Sequence, residues 1–291
     1  MKRTAILAAL FALAACRKPA EAPATSSTAP APPPAAAATT TTATTTAAYV
    51  PPPDVSVANA PVPTGGLSLW LRADSGVTAG ADGKVSAWAV EGSPVKATAD
   101  SPEKQPTVAQ NAIGGKPAIH FDGGTQILEA NLNIDPAASP QVTVISVFSS
   151  ETEAPSPLRK LYGADDGGYD RAAGLDDRAE GFNYTIFGGG AGVVGIFKLA
   201  ANTPYLTVDS YDQPKKLLNV WVNGAPAKQN QQIDHGASLE KFYIGGTGTV
   251  YHEPWLGNVA EMLVYRRILT DDERKKIEDY LAGKYGLKLT R

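Results

Sequence analysis

Five aspartates lie close together in one glycine-rich stretch of this sequence. Asp165, Asp166 and Asp170 surround a Gly-Gly pair, and Asp176 and Asp177 follow shortly after. Calcium binds about six to eight oxygen ligands, and glycines allow backbone carbonyls to turn toward an ion. The order of these residues differs from that of an EF-hand loop. The stretch therefore predicts either a weak calcium site or a solvated acidic turn.

A second group with binding chemistry lies nearer the C-terminus, where two aromatic side chains stand beside polar ones. Tyr251, His252 and Trp255 fall in a short segment between predicted strands. An exposed aromatic ring offers an apolar plane to the C–H face of a sugar, and neighbouring polar groups orient that sugar. The segment therefore predicts a ligand-binding loop. The alternative is that Trp255 is buried under the C-terminal helix.

The N-terminal residues predict export. Lys2 and Arg3 precede a short apolar run that ends in small residues, which is the pattern of a secretory signal and is too short to span a membrane. Leu13-Ala14-Ala15-Cys16 resembles the lipobox of bacterial lipoproteins. The resemblance implies cleavage before Cys16 and attachment of acyl chains such as palmitate, and Arg17 favours the outer membrane. The alternative is an ordinary cleaved signal peptide with an incidental thiol.

Composition divides the chain into three parts. Residues 1–15 form the predicted signal peptide, residues 16–63 are rich in Pro, Ala and Thr, and residues 64–291 carry hydrophobic patterning. The middle part buries too little apolar surface to offset the entropy of ordering, so we predict a disordered linker. The whole chain is 43% hydrophobic and 19% charged, with a formal net charge of −3. This balance provides no basic surface for nucleic acid.

Residues 64–291 predict an all-β domain, because short alternating segments are separated by Gly, Asp, Asn and Pro. The segment 142–148 is apolar on both faces, which indicates a central strand. The segment 217–222 runs into Asn223-Gly224, which favours a type I′ hairpin. Alternation places Leu67, Leu69 and Leu71 on one face of the first strand. We therefore expect a two-sheet antiparallel sandwich.

One α-helix is predicted at the C-terminus. Thr270 and Glu273 have the spacing of a capping box, and Asp271 and Asp272 suit the positive end of the helix dipole. Apolar residues then recur at helical spacing until Gly286, which ends the helix. The pattern predicts that one face of this helix packs on the sandwich.

Several motifs in the folded region together resemble bacterial laminin-G-like, concanavalin A-like domains. They occur in family order over roughly residues 65–288 and include Leu69-Trp70-Leu71-Arg72-Ala73-Asp74, Val85-Ser86-Ala87-Trp88, Gly115-Lys116-Pro117, Phe121-Asp122-Gly123, Ile244-Gly245-Gly246 and Gly257-Asn258-Val259-Ala260-Glu261. The resemblance implies a jelly-roll sandwich. This fold carries lectins, glycan hydrolases, lyases and structural modules, so the resemblance does not select a ligand.

Catalytic signatures in this fold would need paired acids. Glycoside hydrolysis uses two carboxyl groups about 5–5.5 Å or about 6.5–9.5 Å apart. The nearest sequence is Glu151-Thr152-Glu153-Ala154-Pro155-Ser156, which has Ser where jelly-roll glucanases have their last acid, and its proline disfavours a central strand. Glu261 is expected to be a framework residue. The three histidines lack the spacing of a zinc motif.

The leading hypothesis is a lipid-anchored envelope module for recognition or adhesion, non-catalytic, with polysaccharide as its ligand class and calcium as its one conceivable cofactor. A second hypothesis is a structural envelope protein that binds another protein through a sheet face or edge. A third is a carbohydrate-active hydrolase or lyase whose acids the sequence does not reveal.

Overall fold

The computed structural model describes residues 49–90, 92–248 and 250–291, which form two antiparallel sheets and one C-terminal helix. This confirms the all-β prediction. The predicted signal peptide, Cys16 and the linker as far as residue 48 lie outside the described residues. Within the described part of the chain, no helix combines the length and the apolarity needed to cross a membrane.

The first sheet is built around one long strand. In spatial order it contains β15 (Ala225–Gln232), β14 (Leu217–Val222), β13 (Tyr205–Asp212), β8 (Gln141–Ser150), β17 (Leu256–Tyr265), β6 (Lys116–Asp122) and β5 (Thr107–Ile113). β17 pairs with β8 along one side and with β6 along the first half of its other side. β1 (Leu67–Arg72) pairs with the second half.

The second sheet is made of shorter strands. In spatial order it contains β12 (Val193–Phe197), β11 (Tyr184–Phe187), β10 (Ala172–Leu175), β9 (Arg159–Gly163), β16 (Phe242–Ile244), β7 (Leu128–Ala130), β4 (Ala97–Thr98), β3 (Val85–Trp88) and β2 (Val77–Ala79). Two 3₁₀ turns, Pro102–Lys104 and Gln213–Lys215, lie in connecting segments. The Asn223-Gly224 turn has φ values of 49° and 82°, which confirms the predicted hairpin between β14 and β15.

The C-terminal helix α1 (Asp271–Tyr285) covers the outer face of the first sheet. The capping box of Thr270 and Glu273 is present, and Gly286 ends the helix in the left-handed conformation. Ile277 and Leu281 pack into a second apolar cluster, separate from the core between the sheets. The central strands of the first sheet are therefore buried on both faces, which explains why 142–148 has apolar residues on both faces.

The first strand departs from simple alternation. A bulge between Leu67 and Leu69 shifts the register, so Leu67 joins Trp70 in the cluster under the helix while Leu69 and Leu71 face the core between the sheets. The prediction that the three leucines share one face is wrong for Leu67, because a bulge inserts an extra residue on one side of the ladder.

Glu261 on β17 fastens the helix to the first sheet. Its buried carboxylate accepts hydrogen bonds from Trp70 Nε1 at 2.7 Å, Lys284 Nζ at 2.7 Å and Tyr285 Oη at 2.9 Å. These donors come from β1 and from the last turn of α1. A buried carboxylate supplied with three donors is stabilised as a structural group, which agrees with the expected framework role.

The folded domain begins earlier in the chain than predicted. Val55 and Val62 are buried with the cluster under the helix. The backbone N–H of Val55 donates to the carbonyl of Leu67 at 2.7 Å, and Tyr265 Oη donates to the carbonyl of Pro63 at 2.8 Å. The predicted linker boundary at residue 63 is therefore too late: two valines among the prolines give residues 49–63 enough apolar surface to pack.

A polar cluster lies in the core between the two sheets. Tyr162 Oη donates to Asp209 at 2.7 Å and lies 3.0 Å from Tyr211 Oη. Asp209 is fully buried, and this burial raises the pKa of its carboxyl to about 7, from an ordinary value of 3.8. The folded protein therefore holds a proton here that the unfolded chain releases at lower pH.

This difference predicts a pH-dependent stability. Between about pH 4 and pH 7 the folded state keeps the Asp209 proton while the unfolded state has lost it, so this carboxyl contributes a fall in the free energy of unfolding as pH rises through this window. In Asp209→Asn, which cannot titrate, that part of the fall should disappear. Urea unfolding at several pH values measures both slopes, with the exposed Asp272→Asn as the control variant. Equal slopes for Asp209→Asn and wild type would contradict the assignment.

Candidate functional site

A buried ion pair lies beneath one rim of the sandwich. Lys160 on β9 is fully buried, and its Nζ donates to Asp176 at 2.8 Å and stands 4.0 Å from the centre of the Phe187 ring. Burial lowers the pKa of Lys160, and the Asp176 charge opposes this. A buried cation is tolerated only with such a partner, so the pair fixes the chain at the end of β10 against β9.

Arg178 extends the pair to the surface. Its Nε and Nη2 bind the Asp176 carboxylate at 2.8 Å and 2.6 Å, and its guanidinium lies 5.4 Å from the ring centres of Tyr169 and Phe187. Burial alone would raise the pKa of Asp176, but the Arg178 hydrogen bonds and the Lys160 charge lower it to about 2. Asp176 is therefore an ionised carboxylate held between two cations.

The two loops that the sequence singles out separately meet above this pair. They line a single cavity of about 280 Å³, here called the rim cleft, which is bounded by Asp165, Gly167, Tyr169, Arg178, Tyr251 and Glu253. A Cβ added to Gly167 would stand only 3.3 Å from Tyr251 Oη, so the loops approach closely. The site is one cleft with contributions from both predicted loops.

The backbone of the rim cleft is held in uncommon conformations. Tyr169, His252 and Glu253 have φ values of 64°, 63° and 44°, in the left-handed region that side-chain-bearing residues rarely adopt. Such residues cost about 1–3 kcal/mol each and concentrate at functional sites. Hydrogen bonds hold them, since the Tyr169 carbonyl accepts from Gly189 N and the Glu253 carbonyl accepts from Lys160 N, both at 2.8 Å.

Acidic groups in and beside the cleft have raised pKa values. Burial raises the pKa of Asp165 and of Glu253, and Glu253 Oε2 is buried without a hydrogen-bond partner. Burial and the neighbouring Asp166 carboxyl raise the pKa of Asp170 to about 7. These three carboxyls therefore keep their protons to a higher pH than exposed acids do.

The structure does not bring the five aspartates together in one cluster. Among residues 49–90, 92–248 and 250–291, no three His, Cys, Asp or Glu side chains are grouped to hold a metal ion. Asp176 is neutralised by its two cations, and Asp166 and Asp177 are exposed. Asp165 Oδ1 accepts from the backbone N–H groups of Gly167 and Asp170, which closes an acidic turn. Asp165, Asp170 and Asp176 are buried, so the solvated-turn alternative fits only Asp166 and Asp177.

The three predicted aromatic-loop residues have different positions. Tyr251 is 53% exposed at the rim cleft, and His252 Nε2 lies 3.0 Å from the Gly124 carbonyl at the edge of a neighbouring cleft. Trp255 is fully buried in the core between the sheets, where it packs edge-on against Phe148 at 5.7 Å. The prediction that Trp255 contacts a ligand is wrong, and so is its alternative under the helix, because Trp255 directly precedes β17 and its side chain packs in the core between the sheets.

Other residues of the cleft had weaker sequence signals. Tyr169 and Glu253 lie inside the two predicted loops, and an aromatic residue among glycines and acids could have identified Tyr169. Nothing in the sequence marks Lys160 or Arg178, since both are single basic residues in unremarkable contexts. Their importance follows from the burial of Lys160 and Asp176, which is a tertiary property.

No family model and no curated protein matches this sequence. Solved structures do match, at the level of fold. Domain 4 of AbnA, a GH43 extracellular arabinanase from Geobacillus stearothermophilus, in complex with arabinotriose, has a TM-score of 0.50 and 17% identity over 73% of this chain and 97% of that one.

Two other solved structures share the fold with longer proteins. A mutant of Trypanosoma rangeli sialidase displaying trans-sialidase activity has a TM-score of 0.52 and 21% identity, over 77% of this chain and 34% of that one. The HCR/D F1240A mutant has a TM-score of 0.51 and 10% identity, over 77% and 55% of the two chains. The likeness is one of fold, a β-sandwich that also occurs in carbohydrate-active proteins.

The ion pair beneath the cleft makes a prediction about stability. Lys160→Met leaves Asp176 buried with one cation fewer and should lower the free energy of unfolding by on the order of 3 kcal/mol. Lys160→Met combined with Asp176→Asn should cost less than the sum of the two single variants, since neither charge is then left alone. Chemical denaturation of the four proteins measures this coupling.

The exposed pair of Lys216 and Asp234 supplies the control. Its atoms are also 2.8 Å apart, but both side chains are 57% exposed. Lys216→Met should cost less than about 1 kcal/mol. The supporting role of the buried pair would be contradicted if Lys160→Met were as stable as Lys216→Met. It would also be contradicted if the losses of stability in Lys160→Met and Asp176→Asn were additive in the double variant.

Proposed function

We propose that this protein is a lipid-anchored component of the cell envelope whose sandwich binds glycans at the rim cleft without cleaving them. The observation that carries the proposal is the convergence of two exposed tyrosines, Tyr169 and Tyr251, with charged side chains in one cleft. An aromatic ring packs on the C–H face of a sugar, while carboxylate and guanidinium groups bond its hydroxyls. The rim cleft supplies both kinds of contact.

The charges of the cleft favour an uncharged glycan. Arg178 is the cation of the lining, and Asp176 already neutralises it through two hydrogen bonds. Asp165 and Glu253 add acidic groups with no further cation in the lining. An acidic sugar would face these carboxyls, whereas a neutral sugar can donate hydroxyl hydrogen bonds to them. We therefore propose neutral glycans as the ligand class.

The arrangement of acids supports a non-catalytic role. A glycosidase needs two carboxyl groups free to face the scissile bond. In the rim cleft, Asp165 Oδ1 is engaged by two backbone N–H groups of its own loop. Glu253, with its raised pKa and unpartnered oxygen, favours hydrolysis as a second candidate function. If wild type released reducing sugar from a glycan and Glu253→Gln did not, hydrolysis would replace binding as the proposed function.

The comparisons support the glycan class through fold alone. The arabinanase domain was solved with arabinotriose and is matched over nearly its whole length, 97%. The sialidase is matched over 34% of its chain, so its activity does not transfer to this protein. The laminin-G-like motifs of the sequence agree with the same class of sandwich. A role as a structural protein that binds another envelope protein predicts binding of protein and no binding of glycan.

The rim cleft predicts the outcome of a glycan-array experiment. The full chain, solubilised in detergent, should bind neutral glycans, and Tyr251→Ala should weaken this binding by about tenfold, the size of one lost aromatic contact. Phe182→Ala is the matched control, because Phe182 is also an exposed aromatic, at 39%, and lies outside the cleft. An unchanged array profile for folded Tyr251→Ala would overturn the placement of the ligand at the rim cleft.

Membrane anchoring rests on Cys16 and the residues before it. Two or three acyl chains hold a protein firmly at a membrane, whereas one holds it marginally. The Pro-, Ala- and Thr-rich segment would then act as a tether, and Arg17 favours the outer membrane as the location.

The anchor predicts the behaviour of Cys16→Ser in cells. Wild type should sediment with membranes and incorporate labelled palmitate, whereas Cys16→Ser should do neither, because the acceptor thiol is gone. Cell fractionation and metabolic labelling measure the two properties. A Cys16→Ser protein that remains fully in the membrane fraction would contradict lipid anchoring.

A further inference from the structure

A second cleft opens on the outer face of the second sheet, next to the rim cleft. This side cleft has a volume of about 190 Å³ and is bounded by Thr98, Asp100, Lys104, Glu129, Tyr243 and His252. Thr98, Glu129 and Tyr243 are directly opposite one another on β4, β7 and β16, so they form one row across three neighbouring strands. The floor of the cleft is therefore set by strand register.

The charges of the side cleft are balanced. Lys104 Nζ donates to Asp100 at 2.8 Å, and Glu129 accepts from Lys241 Nζ at 2.7 Å. Each carboxylate keeps free acceptor sites, and each ammonium keeps free donors, since a carboxylate offers about four lone pairs and an ammonium three protons. Sugar hydroxyls donate and accept at once, so such pairs suit them. A charged ligand would find no excess of opposite charge in the side cleft.

One loop forms the wall between the two clefts. Tyr251 and Glu253 line the rim cleft, whereas His252, between them in sequence, lines the side cleft. The left-handed conformations of His252 and Glu253 produce this arrangement, and the bond of His252 Nε2 to the Gly124 carbonyl keeps the imidazole at the side cleft. Val250, at the start of the loop, is 57% exposed. The two clefts therefore lie on opposite sides of loop 250–253.

We propose that the side cleft is a second sugar subsite and that a neutral oligosaccharide spans loop 250–253 with one unit in each cleft. This inference rests on the proposed glycan binding at the rim cleft and extends it to the length of the ligand. Both cavities are smaller than the ~300–1,000 Å³ of sites for drug-sized ligands, so each suits a single sugar unit. Two units joined covalently bind more tightly than one, because the second association is intramolecular.

The experiment compares ligands of increasing length on the full chain in detergent. The probes are arabino-, cello- and chito-oligosaccharides of one to six units, measured by calorimetry. For the series that binds, wild type should bind the longer members at least tenfold more tightly than the monosaccharide. Thr98→Trp fills the side cleft from an exposed strand position and should abolish that gain while leaving monosaccharide affinity unchanged.

Thr78→Trp is the matched control, since Thr78 is an exposed threonine on β2 of the same sheet and lies outside the side cleft. It should retain the wild-type dependence on length. Glu129→Ala, which empties the cleft of one carboxylate instead of filling it, should reduce the gain several-fold. The second subsite is overturned if the affinity of wild type does not depend on ligand length, or if Thr98→Trp and Glu129→Ala keep the wild-type dependence. Either result leaves binding at the rim cleft intact. Failure of every series to bind wild type overturns glycan binding itself, and the subsite with it.

Discussion

The buried ion pair of Lys160 and Asp176 is the constraint on which the rim cleft of this sandwich depends. A lysine ammonium without solvent requires a carboxylate close by, and here the carboxylate comes from the chain just beyond β10. Once Asp176 is fixed, Arg178 binds it from outside and lies against the rings of Tyr169 and Phe187. One buried charge thereby positions residues from three separate segments of the rim.

The outer faces of the two sheets differ in how far other parts of the chain cover them. The outer face of the first sheet is covered by the C-terminal helix, which Glu261 fastens to the sheet, and by the segment around Val55. Among residues 49–90, 92–248 and 250–291, no α-helix covers the outer face of the second sheet over the row containing Glu129 and Tyr243. The rim cleft and the side cleft both lie on the second sheet and its rim.

The loops that line the two clefts carry strain that the framework offsets. Left-handed conformations at Tyr169, His252 and Glu253 would be unfavourable in a free peptide. They persist because their neighbours are hydrogen-bonded to strands, as in the bond from Lys160 N to the Glu253 carbonyl. Strain held in this way fixes side-chain directions without a ligand, and preorganisation of this kind reduces the entropy lost on binding.

The sequence alone determined the architecture, because its signals are local. Alternation, the Asn223-Gly224 turn and the capping box at Thr270 each depend on a few adjacent residues. The turn and the cap are present in the fold, and alternation in β1 is interrupted by the bulge after Leu67. Only the tertiary structure decided which residues meet. It merged two predicted loops into one cleft, placed Trp255 in the core and revealed the role of Lys160. Burial and long-range pairing set these outcomes, and neither can be deduced from residue type or spacing along the chain.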